Sequence, residues 1–517
     1  MAKRVTIDGN TLTIEEVHRV ARLQAKVGIS PQARKRVREC RKVVQRFIDR
    51  GDTIYGVTTG IGEFAHVRVS HDLGSELQRR IVLSHSAGTG DPQPKDAVRA
   101  AILCRANTLS KGYSAVRLET LRTLIEFLNR DITPFVYEKG SVGTSGDLSP
   151  MSQIAEVLIG EGDAYYRGDL LPGTLAMKKA GLKPVTLTFK EGLGIINGSQ
   201  MMTGELALRC YDADNIMKNA IIASAMTIDA LQSVRRAFDS RLHAVRPFPG
   251  QIAVAENVRR LTADSEIMAR HPGKVQDGYS LRCTPQVLGP SLDTLAYVKR
   301  QVLIEMNSAT DNPLFFPKDK IHLAGGNFHG QPIGMAADFL AIALSEVANL
   351  SERHTNRLLN PVLSGLPDFL VKGKGLNSGL MVAQYTAAAL VSENKVLSHP
   401  GVVDSISLSA DQEDHVSMGP ISIRKLKEIC RNVAIVIAIE MMAAAQAFGF
   451  RKPLRPGRGT RTAYRQIRKV VEHLECDRSL HPDIRKITEL IHAGTIVKAV
   501  ERVVGTINLG DFPYERV

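Results

Sequence analysis

The chain has 517 residues, 44% hydrophobic and 23% charged, which are the values of a globular protein with a large core and exclude a disordered or fibrous one. Its net charge of +14 is spread along the sequence, and the densest basic stretch, Arg451–Arg461, has no interleaved aromatics for base stacking, so it reads as a solvated loop and no nucleic-acid partner is expected. Six scattered cysteines without a CxxC pair read as reduced thiols of a cytoplasmic protein, not as a disulfide frame or a zinc site.

In chain order, Thr13-Ile14-Glu15-Glu16 has the capping-box form and predicts a helix to about Lys26. Ser30-Pro31 opens a second helix, which Gly51 closes. A glycine-rich loop follows, Tyr55–Gly62 (YGVTTGIG), and then helices near Leu73–Ser86, Pro94–Ser110 and Ala115–Asn129. The stretch Gly140–Ile154 (GSVGTSGDLSPMSQI) sets Thr144-Ser145-Gly146 in a small-residue loop ahead of a helix, with Ser149 predicted as N-cap and Pro150 as first helical residue. Ala164–Leu171 reads as a hairpin and Pro184–Phe189 as a short strand.

Beyond Gly198 long helices dominate. Ala336–Leu359, Leu376–Ser398 and Ile421–Phe448 are apolar on most faces and are predicted to be buried among other helices. The most apolar run, Val433–Ala447, carries Glu440 in its middle and reads as a core helix too short to span a bilayer, so no membrane partner is expected; the start of the chain lacks the apolar segment of a secretory signal. The predicted fold class is all-α: a long central helix bundle over 198–517, with a smaller mixed N-terminal region over 1–197 that carries the loops.

Those loops hold the chemistry. Gly146 has no Cβ, so its amide nitrogen can approach the carbonyl carbon of Thr144. Attack there, with loss of one water from the new ring and one from the Ser145 side chain, gives 4-methylidene-imidazol-5-one, an electrophile built from the backbone. A lone Thr-Ser-Gly also suits an ordinary helix-capping loop. A serine-hydrolase nucleophile is a further reading, but the G-x-S-x-G elbow needs glycine where Asp147 stands. A non-catalytic binding protein is the reading left if the tripeptide stays linear.

The run GTSGDLSPMSQIAEVLIGEG, together with YGVTTGIG, GLGIINGSQ, KVQDGYSLRCTPQ, EMNSATDNPLFF, GGNFHGQP and SADQEDHVSMG in that order, resembles the aromatic amino-acid ammonia-lyase and aminomutase family from about Thr11 to Ile484. That family usually has Ala-Ser-Gly where this chain has Thr144-Ser145-Gly146; ring closure needs only the backbone carbonyl of the first residue. The resemblance implies that Tyr55 is the base that takes the substrate β-proton, a task that suits a phenol whose pKa is lowered by positive charge or hydrogen bonds. It implies that Asn197 hydrogen-bonds the prosthetic group and that Tyr279 joins the catalytic set. Gln276, Arg282, Asn312, Phe328, Met381 and Glu413 match substrate-binding positions. Arg282, with its planar fork, is the natural partner of a substrate carboxylate.

Ser84-His85 is similar to the histidine-type members, whereas His-Leu and Phe-Leu go with tyrosine and phenylalanine. His85 and Glu413 together suit an imidazole; a phenyl ring would leave both unpaired, at roughly 1–3 kcal/mol each. Thr58-Thr59-Gly60, Cys283-Thr284-Pro285-Gln286 and Gly330-Gln331 resemble tyrosine lyases and aminomutases as well. The resemblance therefore implies an ammonia-lyase that forms an α,β-unsaturated acid from an aromatic L-amino acid. Histidine, giving urocanate, is favoured; a tyrosine or phenylalanine lyase and a 2,3-aminomutase are the alternatives. It also implies a homotetramer with shared active sites and no metal or external cofactor.

Overall fold

The structure, a computed structural model, describes residues 4–270 and 273–510. It is 60% helical, with 21 α-helices and only short strands among the described residues, so the all-α class holds. The compact units are interleaved along the sequence and not divided at 197/198. The first comprises the chain up to Tyr211, Lys299–Asp338 and Pro400–Arg424; the second comprises Asp212–Val298, Phe339–His399 and the remainder from Lys425.

In the first unit, local signals set the helix starts. Thr13 Oγ1 accepts from Glu16 N at 3.2 Å while Glu16 Oε2 accepts from Thr13 N, and the helix runs Ile14–Ala21. It stops short of Lys26 because Val27–Ile29 pairs in parallel with Val5–Ile7. Ser30 caps the helix Pro31–Asp49, as its sequence predicts. Lys95–Ser110 is buried on every side from Ala97 onward and carries Arg105, which donates to Gln200 Oε1 (2.9 Å) and the Thr310 carbonyl (3.1 Å). Asp163–Tyr166 and Asp169–Pro172 form the expected hairpin, extended by Ile132–Pro134.

Two further elements of the first unit differ from the sequence expectation. The helix after the Thr-Ser-Gly loop is Leu148–Leu158, with Asp147 as N-cap, so Pro150 falls at its third position and not its first. Asp147 takes the cap position because its backbone N–H is held by the Gly198 carbonyl at 2.8 Å. Pro184–Phe189 forms no strand and joins no sheet. Its polar groups are used elsewhere: Val185 N donates to Leu158 O, and both Thr188 N and Thr188 Oγ1 donate to the carboxylate of Glu191, which opens the short helix Glu191–Ile196.

The second unit is built from stretches of four long helices, Gln200–Ala230, Thr284–Met306, Gln331–Leu359 and Gly419–Phe450. Polar cross-links tie them: Ser291 Oγ donates to the Ala343 carbonyl (3.0 Å), and Thr227 Oγ1 and Ser351 Oγ both donate to Glu440 (2.8 and 2.7 Å). Gly419–Phe450, at 32 residues, is longer than Val433–Ala447 and is long enough to cross a membrane, as is Gln331–Leu359. Most of each is buried within the protein, which is what a core helix shows.

The expectation fails for Leu376–Ser398. The helix there runs Met381–Leu397, and only Ala383, Ala387 and Asn394 are buried within the chain. Val382, Tyr385 and Val396 are each more than half exposed. Apolarity on most faces does not specify whether the covering surface belongs to the same chain.

Candidate active site

The Thr-Ser-Gly loop is clamped from both flanks. Gly146 has φ +73°, and a Cβ there would meet the carbonyl carbon of Gly198 at 2.1 Å, so only glycine fits. Gly146 bridges to Gly198. Before the loop, Ser417 Oγ donates to the Gly143 carbonyl (3.0 Å), and Met418 N donates to the Val142 carbonyl (2.8 Å). After it, Asp147 Oδ2 accepts from Met202 N at 2.9 Å. Burial, with Glu205 and Glu305 adding negative charge, pushes the Asp147 carboxyl up to about 7 against the opposing Met202 and Met201 N–H groups.

Two N–H groups converge on the Ser145 carbonyl oxygen: Asn197 Nδ2 at 3.3 Å and Gly198 N at 3.1 Å. This is the geometry that stabilises negative charge on an oxygen. Asn197 is legible in the sequence; the Gly198 donor is a backbone group that no side-chain pattern announces. On the other side of the residue, Ser145 Oγ donates to Glu413 Oε1 at 3.1 Å. Glu413 lies outside any helix, beside Ser145.

Tyr55 and His85 both sense the charge of Glu413. The Tyr55 hydroxyl accepts from Gly62 N at 2.9 Å, which favours the phenolate. Burial outweighs that bond, and Glu413 adds to it, so the phenol titrates above its ordinary value. The lowered pKa expected of a base is not what this surrounding produces, because burial raises it and the charge of Glu413 is negative.

His85 is the last residue of the helix Gly74–His85. Its Nδ1 lies 2.8 Å from the Ile81 carbonyl and 3.0 Å from Ser84 Oγ. A carbonyl only accepts, so Nδ1 carries the hydrogen, and in the neutral ring Nε2 is left as an acceptor. Burial pushes the His85 pKa down, opposed by the Ile81 carbonyl and by Glu413.

Asn312 and Phe328 also lie in the first unit, at the two ends of a hairpin formed by Leu314–Phe316 and Ile321–Leu323. Asn312 Oδ1 accepts from Gly325 N at 2.9 Å, which ties the approach to Phe328. A buried Lys190–Asp311 pair (2.8 Å) stands beneath Asn312, with Lys190 Nζ also donating to the Asn312 carbonyl at 3.2 Å. Lys190, Arg105 and Ser417 carry no signal in the sequence, because their partners lie far away in the chain.

Gln276, Tyr279, Arg282 and Met381 belong to the second unit. The first three form one cluster: the Arg282 guanidinium lies 4.8 Å from the centroid of the Tyr279 ring and donates to Gln276 Oε1. Met381 opens its own helix, half-buried. Among the described residues, no group of three or more His, Cys, Asp or Glu side chains is arranged to hold a metal ion.

Known proteins are similar to this chain along nearly its whole length. Residues 12–469 match the aromatic amino acid lyase family. The chain is 51% identical to the histidine ammonia-lyase of Alkaliphilus oremlandii over 503 residues, 97% of this chain and 99% of that one. Among solved structures, histidine ammonia-lyase from Trypanosoma cruzi superposes with a TM-score of 0.91 at 38% identity, covering 99% of this chain and 97% of the other. Tyrosine aminomutase from Streptomyces globisporus superposes with a TM-score of 0.93, also at 38% identity, covering 97% and 99%. Taken with the clamped Thr-Ser-Gly loop, these matches show that the chain is an enzyme of the aromatic amino acid lyase family.

Proposed function

We propose that the protein eliminates ammonia from L-histidine to give urocanate, using a 4-methylidene-imidazol-5-one formed from Thr144-Ser145-Gly146. The observation that carries this reading is the Ser145 residue itself, its carbonyl held by two N–H donors and its hydroxyl bonded to Glu413. The loop fits the ring: Gly146 admits no Cβ, and the Asn197 and Gly198 donors meet the oxygen on which charge develops. When formed, the ring supplies an electrophile that makes the substrate nitrogen a competent leaving group.

The chain's own residues do the rest. Tyr55 accepts the β-proton as phenolate, with Gly62 N–H on its oxygen. Arg282 takes the substrate carboxylate, with Gln276 and Tyr279 fixing the guanidinium. By the family pattern Asn312, Phe328 and Met381 are substrate-binding residues. His85 Nε2 and Glu413 are both acceptors, which suits the two N–H groups of a protonated imidazole, or the one N–H of a neutral ring in either orientation.

We assign each site to several subunits of a homotetramer, because the apolar face of Met381–Leu397 is uncovered within one chain. Cysteines that form no disulfide among the described residues suit the cytoplasm. The test is to incubate the purified protein separately with histidine, tyrosine and phenylalanine. Ammonia and urocanate from histidine are expected; turnover of the other two alone would overturn the substrate assignment. The 2,3-aminomutase reading has the likeness to tyrosine aminomutase behind it, and a β-amino acid in place of free ammonia would establish it.

His85→Phe is expected to shift preference from histidine toward phenylalanine. Removing an acceptor that only the imidazole pairs should change relative kcat/KM by roughly 1–3 kcal/mol, about ten- to two-hundredfold. An unchanged ratio would remove His85 as the selector.

A further inference from the structure

The second unit contains a buried His–Glu pair that the reaction described above does not use. Glu440 lies in the apolar run of Gly419–Phe450, and both Glu440 and His354 are fully buried. A lone carboxylate there would be costly, and its oxygens are all engaged. Oε1 lies 2.8 Å from Thr227 Oγ1 and 2.7 Å from His354 Nδ1, and Oε2 lies 2.7 Å from Ser351 Oγ. The other ring nitrogen, His354 Nε2, lies 2.7 Å from the carbonyl oxygen of Ser280. A carbonyl cannot donate, so Nε2 carries a hydrogen. The remaining proton is shared between Nδ1 and Glu440, and the pair is net neutral whichever atom holds it.

The carbonyl that His354 reaches is a particular one. Ser280 sits in the four-residue helix Tyr279–Arg282, which breaks at Cys283 before Thr284–Met306 begins. At that break the Ser280 oxygen accepts from Thr284 Oγ1 at 2.9 Å as well as from His354. Tyr279 precedes Ser280 and Arg282 follows two residues later, so the orientation of this peptide sets where both side chains leave the backbone. The outer side of the turn offers little to fix it: Tyr279 is 73% exposed and Gln276 is exposed. On the inner side, buried Leu281 fixes the depth of the turn, and the bond to Ser280 fixes its rotation.

We propose that His354 is a positioning residue for the reaction: backed by Glu440, it holds the Ser280 carbonyl and thereby aims Arg282 and Tyr279. This rests on the reading of Arg282 and Tyr279 as substrate-side groups. A purely structural role would be to satisfy Glu440, and the two roles use different ring nitrogens. An asparagine amide can occupy the place of Nδ1, and a glutamine amide can occupy that of Nε2.

The experiment compares His354→Gln and His354→Asn in the full-length enzyme, reading KM and kcat for histidine and hydrogen exchange at the Arg282 and Cys283 amides. Those amides bond to the Gly278 and Tyr279 carbonyls within the turn. The expected result is that the Gln variant stays near the parent. The Asn variant should raise KM by about tenfold or more, beyond its effect on kcat, and speed exchange by roughly tenfold. Exchange that is slower in Asn than in Gln, or equal to the parent in both, overturns the proposal. If exchange follows the expected order while KM does not move, Arg282→Ala locates the failure. A raised KM in that variant overturns the link from His354 to substrate; an unchanged KM overturns instead the reading of Arg282.

Discussion

Replacing Ser145 with alanine is expected to abolish turnover, lowering kcat by more than about a thousandfold, or about 4 kcal/mol of barrier. The reason is chemical. An alanine side chain has no hydroxyl to lose, so no exocyclic methylene can form, and a free amine is a poor leaving group without an electrophile to carry it. The parent enzyme should weigh two waters less than its sequence, and the variant should lack that deficit. Histidine binding should survive, because Glu413 and His85, the proposed partners of the imidazole, remain, and the hydroxyl that the proposed ring closure removes is the one bonded to Glu413 Oε1. Intact-mass measurement and calorimetric titration check the two halves. An unmodified Thr144–Gly146 peptide recovered from active enzyme would refute the ring chemistry outright.

The parts of the site that were legible in the sequence are those whose cause is local. The Thr13–Glu16 box and the Ser30-Pro31 start announce themselves because cap and capped amide lie within four residues. The Thr-Ser-Gly loop and Asn197 were legible as residue types. What the sequence could not specify was decided by distant partners. Asp147 and Ser149 both carry side chains that cap helices, and the choice between them was made by the Gly198 carbonyl, 51 positions along the chain. The second donor to Ser145 is a backbone N–H and leaves no pattern. The sequence of Met381–Leu397 predicts burial on most faces because apolar residues look the same whichever chain covers them. The direction of the Tyr55 shift was also out of reach, since it depends on burial and on Glu413, 358 positions away.

That shift makes Tyr55→Phe the other variant with a large effect. Loss of a general base is expected to lower kcat by roughly 10²–10⁴-fold with little change in KM, since the ring that packs the loop is retained. The pH dependence separates a base from a packing residue. In the proposed mechanism the reactive form is the phenolate, and burial together with Glu413 holds the phenol above its ordinary value. At neutral pH only a small fraction is therefore ionised, and kcat should climb as pH rises toward that pKa. Glu413→Gln removes a negative charge that disfavours the phenolate, so the Tyr55 pKa falls and the climbing limb moves to lower pH, whatever happens to its height through weaker substrate binding. In Tyr55→Phe the limb should vanish. A limb that persists without the hydroxyl would assign the β-proton to another group, and one that moves to higher pH in Glu413→Gln would separate Glu413 from the phenol it faces.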